Sequence, residues 1–337
     1  SLVSTSLIAS DKLETNSYFF FFKHLVFVII GIGLIFIFSY IDQENLYKIS
    51  IYIFFVSLTL LFLVPIIGVE VKGSKRWLDI FFLPRLQPIE LVKPFFIIVL
   101  SILLTFHKLK NFTLKFILTL ILTFIISFLL IIQPDLGQTL LICFTWMLLI
   151  FVSGVNLIFL SAISVIGLSL LLYFIFYVAK FEYIKNRILS FFNSETGTHN
   201  FQSDKAIESI ISGGFFGKGI GEGTLKNKVP EAHTDYIISV ISEEFGVIVI
   251  ILILILFLVF IFSIFKKVNI ENDHKTKLIL VGSASLILIQ AMIHIGVNIR
   301  LFPTTGMTLP FLSYGGSSII STCLISLKIL NLTKRKI

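Results

Sequence analysis

The chain has 337 residues, of which 56% are hydrophobic and only 14% charged, against about 25% charged in an ordinary soluble domain. With a mean hydropathy of +1.01, this excludes a soluble globular protein, a disordered chain and a coiled coil, and leaves an all-α polytopic membrane protein. The net charge of +8 comes with no basic tail and no recognisable nucleic-acid module, so it is read as a topology signal and no nucleic-acid partner is expected.

Residues 1–10 are small and apolar but too short to cross a bilayer, and they lack the basic region of a signal peptide. They are read as the end of a span whose beginning is missing. Apolar runs without interior charge follow near 25–40, 50–69, 94–106, 116–132, 138–153, 157–178, 246–265, 278–297 and 311–327. Most approach the ~20 residues a helical span requires, and with the N-terminal fragment they make ten. The whole chain, 1–337, reads as one integral membrane domain, interrupted by a long polar loop at 179–233. Cys143 and Cys323 both lie in apolar runs, so no disulfide is expected.

Lys and Arg in the short loops set the orientation. One set of loops carries twelve (Lys48, Lys108, Lys110, Lys115, Lys266, Lys267, Lys275, Lys277, Lys328, Lys334, Arg335, Lys336) and the opposite set seven (Lys12, Lys23, Lys72, Lys75, Arg76, Arg85, Arg300). The richer set should be cytoplasmic and the 179–233 loop extracytoplasmic. The cluster at 72–85 opposes the trend, which suggests an anionic partner on the outer face.

Six segments carry candidate chemistry. Lys72-Gly73-Ser74-Lys75-Arg76-Trp77, running on to Phe81, Phe82, Pro84 and Arg85, sets cations among aromatic rings as at a membrane–water interface. Such cations can hold phosphate; an interfacial helix with snorkelling cations is the alternative. Gln87-Pro88-Ile89-Glu90-Leu91-Val92-Lys93-Pro94 opens an apolar span, with Glu90 and Lys93 on one helix face, as a structural ion pair or a polar pocket wall. Gln133-Pro134-Asp135-Leu136-Gly137 is a tight turn whose Asp135 could cap the next helix, or else part of a site. The glycine-rich run 212–223 lacks the Gly-Lys-Ser/Thr of a P-loop and reads as a flexible hinge. In Pro230-Glu231-Ala232-His233-Thr234-Asp235-Tyr236, Pro230 suits a helix start, which would put Glu231 and Asp235 four apart on one face. A carboxylate there could accept a proton from a hydroxyl; helix capping with interfacial solvation is the alternative. His233 is the only histidine of six in such company, whereas His294 reads as packed in its span. Last, 298–310 with its two prolines and Gly306 is an irregular or re-entrant segment at an outer span end, bearing Arg300. The small residues of 313–318 suit either close helix packing or a substrate role.

Taken together, Lys-Gly-x-x-Arg-Trp, Gln-Pro-x-Glu-x-x-Lys, Gln-Pro-Asp-Leu-Gly, Pro-Glu-Ala-His-Thr-Asp and Ser-Tyr-Gly-Gly-Ser-Ser occur in the order in which the SEDS family (FtsW and RodA) carries them, and the chain resembles that family over essentially its whole length. Thr-x-Gly-x-Thr-Leu-Pro at 304–310 and Gly-Val-Asn at 296–298 look like the family's division branch. The resemblance implies a ten-span helical bundle, its first span truncated, with a long extracytoplasmic loop. It implies a peptidoglycan glycosyltransferase that polymerises lipid II, an undecaprenyl-diphosphate-linked disaccharide peptide, by inverting transfer. The setting would be the outer face of the bacterial cytoplasmic membrane, at the septum, with a class B penicillin-binding transpeptidase and other division proteins as partners. Asp235 matches the family's essential loop aspartate and is the expected catalytic base. Lys72, Lys75, Arg76, Glu90, Lys93, Asp135, Glu231, His233 and Arg300 are the expected substrate-binding residues, with a divalent cation (Mg or Mn) as the one candidate cofactor. Ile89 stands where the family usually has Ser, and Thr305 where Lys is frequent; Arg300, in place of a commonly uncharged residue, either substitutes for that lysine or snorkels to the lipid headgroups. A lipid II flippase and a non-catalytic division scaffold are the rival readings.

Overall fold

The computed structural model describes residues 19–71, 74–79, 85–178, 181–192 and 198–334; Lys72 and the N-terminal stretch read as a span end lie outside them. Nine apolar helices dominate: α1 (Phe19–Ser39), α2 (Gln43–Ile67), α3 (Pro88–Thr105), α4 (Phe112–Ile132), α5 (Leu136–Val152), α6 (Leu157–Tyr177), α10 (Val247–Ile270), α11 (His274–Asn298) and α12 (Gly316–Thr333). Eight are long and apolar enough to cross a membrane, and α5 is shorter. In hydrocarbon every backbone amide and carbonyl needs an internal partner, and a helix supplies them within one segment. The outer surfaces match: α6 buries only Leu160 and Ile175 and presents a coat of large apolar side chains. Side-chain caps start the helices where the chain re-enters, with Asn111 accepting from the Thr113 amide and Asn156 from the Ile158 amide.

Three expectations are corrected. The 179–233 stretch is not loop throughout: it contains α7 (Glu182–Phe192), α8 (Thr198–Gly213) and a 3-10 turn at Leu225–Lys228, and leads into α9 (Ile237–Phe245). In α8 the buried positions are Ser203, Ala206, Ser209 and Gly213, a helical stripe of small residues that hydropathy does not detect. The described residues of the basic cluster near 72–85, which are 74–79 and 85, are not helical. Val69–Val71 (β1) and Ser74–Trp77 (β2) pair antiparallel, with Glu70 opposite Lys75 and an irregularity after Val69; Val and Trp suit strands, and opposite charges face each other across the pair. The last span starts at Gly316 instead of 311 and runs past Lys328. That lysine is tolerated because its ammonium donates to the Pro94 carbonyl and lies 4.3 Å from the Phe95 ring centroid.

The chain divides into two compact units. One comprises Ser1–Ile30, Lys185–Phe262 and Gln290–Ile319; the other comprises Gly31–Ile184, Ser263–Ile289 and Ile320–Ile337. In the first, α8 packs on α9 beside a small core of Ala206, Val229, Ala232, Tyr236, Val240 and Val297. In the second, α3 is the central helix, packed against α2, α4 and α5, and its core includes Phe54, Leu61, Phe96, Leu100, Leu130 and Leu149.

Candidate functional site

In the first unit the segment 230–236 is a turn, not the helix start expected at Pro230. Glu231 has φ +54°, a left-handed conformation that costs a non-glycine residue about 1 kcal/mol. Its carbonyl accepts from the amides of Thr234, Asp235 and Tyr236 at 3.0, 3.1 and 3.4 Å. Glu231 and Asp235 therefore do not share a helix face, because the chain turns back on itself between them. The Glu231 carboxylate accepts from the Thr234 hydroxyl at 3.1 Å.

The carbonyls of this turn are held from the end of α11 and the segment after it. The Tyr314 amide donates to the His233 carbonyl at 2.9 Å, the Ser313 hydroxyl to Thr234 at 2.6 Å, and the Asn298 amide nitrogen to Asp235 at 3.0 Å. Asn298, the last residue of α11, also bonds the His294 carbonyl, and the Ser313 oxygen accepts from the Leu309 amide at 2.8 Å. The irregular 299–315 segment is tied down along its length. Gln290 donates to the Thr308 carbonyl, His294 Nδ1 lies 2.7 Å from the Met307 carbonyl, and Arg187 donates to the Thr304 carbonyl. Asp235 itself is half-buried. Its neighbour Tyr236 is fully buried, and burial together with the Asp235 charge pushes that phenol well above its ordinary value, against the opposing pull of Arg187. The His233 and Tyr314 rings lie 5.7 Å apart, and burial also raises the Tyr314 phenol. Arg300, with φ +58°, pairs with Asp204 at 2.7 Å.

The glycine-rich run is packed backbone, not a free hinge. It wraps the C-terminal end of α9, with the amides of Lys218 and Gly219 donating to the carbonyls of Glu243 and Glu244. A Cβ on Gly217 would come within 2.3 Å of the Glu244 carbonyl oxygen, and one on Gly223 within 2.7 Å of the Glu243 carboxyl carbon. Buried Glu243 accepts from Ser209, Lys218 and the Leu225 amide at 3.1, 3.4 and 2.9 Å.

In the second unit three of the motifs form one polar network. Arg76 on β2 donates to the carbonyls of Gln133 and Pro134 and lies 3.7 Å from the Asp135 carboxylate. Asp135 caps α5, accepting from the Gln138 amide, and accepts from Gln87 at 3.5 Å. Glu90 and Lys93, both buried in the first turns of α3, pair at 2.8 Å, and Gln138 donates to Glu90 at 3.0 Å. Gln138 thus joins Asp135 to the buried ion pair. Lys75 is exposed on the hairpin.

The structure therefore brings Glu231, His233 and Asp235 into one turn, and Arg76, Glu90, Lys93 and Asp135 into one network. The sequence assigns no role to Gln138 or Asn298, and to Ser313 only the packing or substrate role shared by 313–318. Gln138 and Asn298 carry the available signal, an amide in an otherwise apolar span. Among the described residues no group of three or more His, Cys, Asp and Glu side chains could hold a metal ion.

These features define a multi-pass helical membrane protein with a polar, tightly bonded acidic turn outside its spans. The chain belongs to the FtsW/RodA/SpoVE family of cell cycle proteins, whose model matches residues 1–336. It is 32% identical over 326 residues to the protein named "Probable peptidoglycan glycosyltransferase FtsW" of Caulobacter vibrioides, covering 94% of this chain and 80% of that one. It is 34% identical over 339 residues to the protein of the same name from Coxiella burnetii, covering 96% and 88%. Its fold is similar to a chain of a structure described as "Structural coordination of polymerization and crosslinking by a peptidoglycan synthase complex", with TM-score 0.77 and 25% identity over 97% of this chain and 94% of that chain. Thermus thermophilus RodA shares the fold at TM-score 0.69 and 24% identity, over 98% and 92%.

Proposed function

We propose that this chain is a peptidoglycan glycosyltransferase of the division type, polymerising lipid II at the outer face of the bacterial cytoplasmic membrane, at the septum, beside a class B penicillin-binding transpeptidase. The observation that carries the reading is the Asp235 turn: a half-buried carboxylate on backbone whose amides and carbonyls are hydrogen-bonded inside the protein. The acceptor hydroxyl attacks the anomeric carbon of the donor sugar from the side opposite the diphosphate, inverting that carbon. The sugar–oxygen bond breaks with its electrons going to the diphosphate, and Asp235 takes the hydroxyl proton. An ordinary glycoside needs a second carboxyl group to protonate its leaving oxygen; a diphosphate leaves as a stable anion once its charge is compensated. Arg300 supplies positive charge in the same unit as Asp235, and Lys75 gives the hairpin a charge that, with Lys72 three residues before it in sequence, attracts a polyanionic headgroup. Arg76 on the hairpin joins buried Glu90, Lys93 and Asp135 in one polar network, and Glu231 and His233 shape the acidic turn. A magnesium or manganese ion arriving with the diphosphate would take most of its ligands from phosphate and water.

Purified protein in lipid nanodiscs, given lipid II, tests the reading. Asp235→Asn should insert and unfold like the wild type yet form no glycan strands. Strand synthesis near the wild-type rate by that variant would remove Asp235 as the base.

A further inference from the structure

We propose that Ser313 and Asn298 are positioning residues, which fix the Asp235 carboxylate by gripping the backbone on which it is carried. The inference rests on the general-base reading of Asp235. A base works within about 2.6–3.2 Å of the proton it takes, and a 1 Å misplacement can cost about a hundredfold in rate. Asp235 lies in a turn, where no regular helix holds it in place. The turn is closed on its amide side by one acceptor, the Glu231 carbonyl, which takes the amides of residues 234, 235 and 236. On its carbonyl side three successive residues, His233, Thr234 and Asp235, are each held by a different donor: the Tyr314 amide, the Ser313 hydroxyl and the Asn298 side chain.

Two of those donors are side chains, and both are built in. Asn298 is fully buried and is bonded at once to Asp235 and to the His294 carbonyl one turn back in α11, so the turn is referenced to the end of a long helix. Ser313 is 2% exposed, and its hydroxyl accepts from the Leu309 amide while donating to the Thr234 carbonyl, so its orientation is set from both sides. A site carried on rigid elements holds its geometry better than one on a free loop. The small size of Ser313 suits close packing, but packing alone does not require a hydroxyl.

The test is steady-state polymerisation of lipid II by the full chain in nanodiscs. Ser313→Ala and Asn298→Ala should each lower kcat at least tenfold while the KM for lipid II stays within about twofold, and Ser313→Thr, which keeps the hydroxyl, should recover much of the rate. A purely structural role would lower the thermal midpoint and the yield of active enzyme without this split between kcat and KM. Wild-type kcat in both alanine variants, or a loss confined to KM, overturns the proposal. If Ser313→Ala does not fold, Asn298→Ala carries the same comparison. Asp235→Asn is assayed beside them. Its inactivity together with wild-type alanine variants would sink the positioning role alone, whereas normal synthesis by Asp235→Asn would sink the base reading and the positioning role with it.

Discussion

Arg300 combines two opposed contributions. Its backbone is left-handed at φ +58°, a conformation that costs a side-chain-bearing residue about 1 kcal/mol relative to glycine. Its guanidinium gains an ion pair with Asp204, but the two side chains are 27% and 42% exposed, and such pairs are worth roughly 0–1 kcal/mol. Arg300→Gly should therefore leave stability within about 1 kcal/mol of the wild type, read from thermal unfolding. Substrate use is a separate matter. A guanidinium has five donors, so the bond to Asp204 leaves some for phosphate. The expected result is a threefold or larger rise in the KM for lipid II, and an unchanged KM would confine Arg300 to its ion pair.

At the scale of elements, the glycine run and α9 form one packed piece, and individual glycines separate its two requirements. Gly214 and Gly217 both have positive φ, +56° and +77°. A Cβ on Gly214 meets nothing within 4 Å, whereas on Gly217 it would meet the Glu244 carbonyl oxygen at 2.3 Å. Gly214→Ala should cost about 1 kcal/mol, the backbone penalty alone. Gly217→Ala should cost more than about 2 kcal/mol, because backbone must move to admit the methyl group. Denaturant unfolding of the two variants checks the difference, and equal costs would mean that the run yields freely, as a hinge would. The α8 helix packs by the same logic, its stripe of Ser203, Ala206, Ser209 and Gly213 bringing it close to α9.

For the molecule as a whole, the decisive property is which face the 179–233 segment occupies. The excess of Lys and Arg around residues 108–115, 266–277 and 334–336 predicts that those chain ends and loops are cytoplasmic and the segment extracytoplasmic. Thr224 is exposed, unlike Ser203, which is 6% exposed. Thr224→Cys, made in a background with Cys143 and Cys323 replaced by alanine, should react with a membrane-impermeant thiol reagent in intact spheroplasts. Reaction only after lysis would reverse the orientation and place Asp235 on the wrong side for an extracytoplasmic substrate.

The nine apolar helices among the described residues were legible because hydropathy is a local property that a helix satisfies by itself. The pairing of Glu90 with Lys93 followed from their spacing of three, and the cap at Asp135 from its place before an apolar run; both bonds lie within one helical turn. The acidic turn was visible as a motif, but its shape was not: Pro230 suggested a helix, and the structure has a left-handed Glu231 with three amides folded onto its carbonyl. Hydropathy also missed α8, because its buried face is Ser, Ala and Gly. The hairpin, the place of Lys328 inside a span and the grip of Asn298 and Ser313 on the Asp235 turn came only from tertiary structure. Asn298 and Asp235 are 63 residues apart, and Ser313 and Thr234 are 79 apart. Hydrogen bonds over such separations depend on how packed helices bring their ends together, and no local periodicity in the chain encodes that approach.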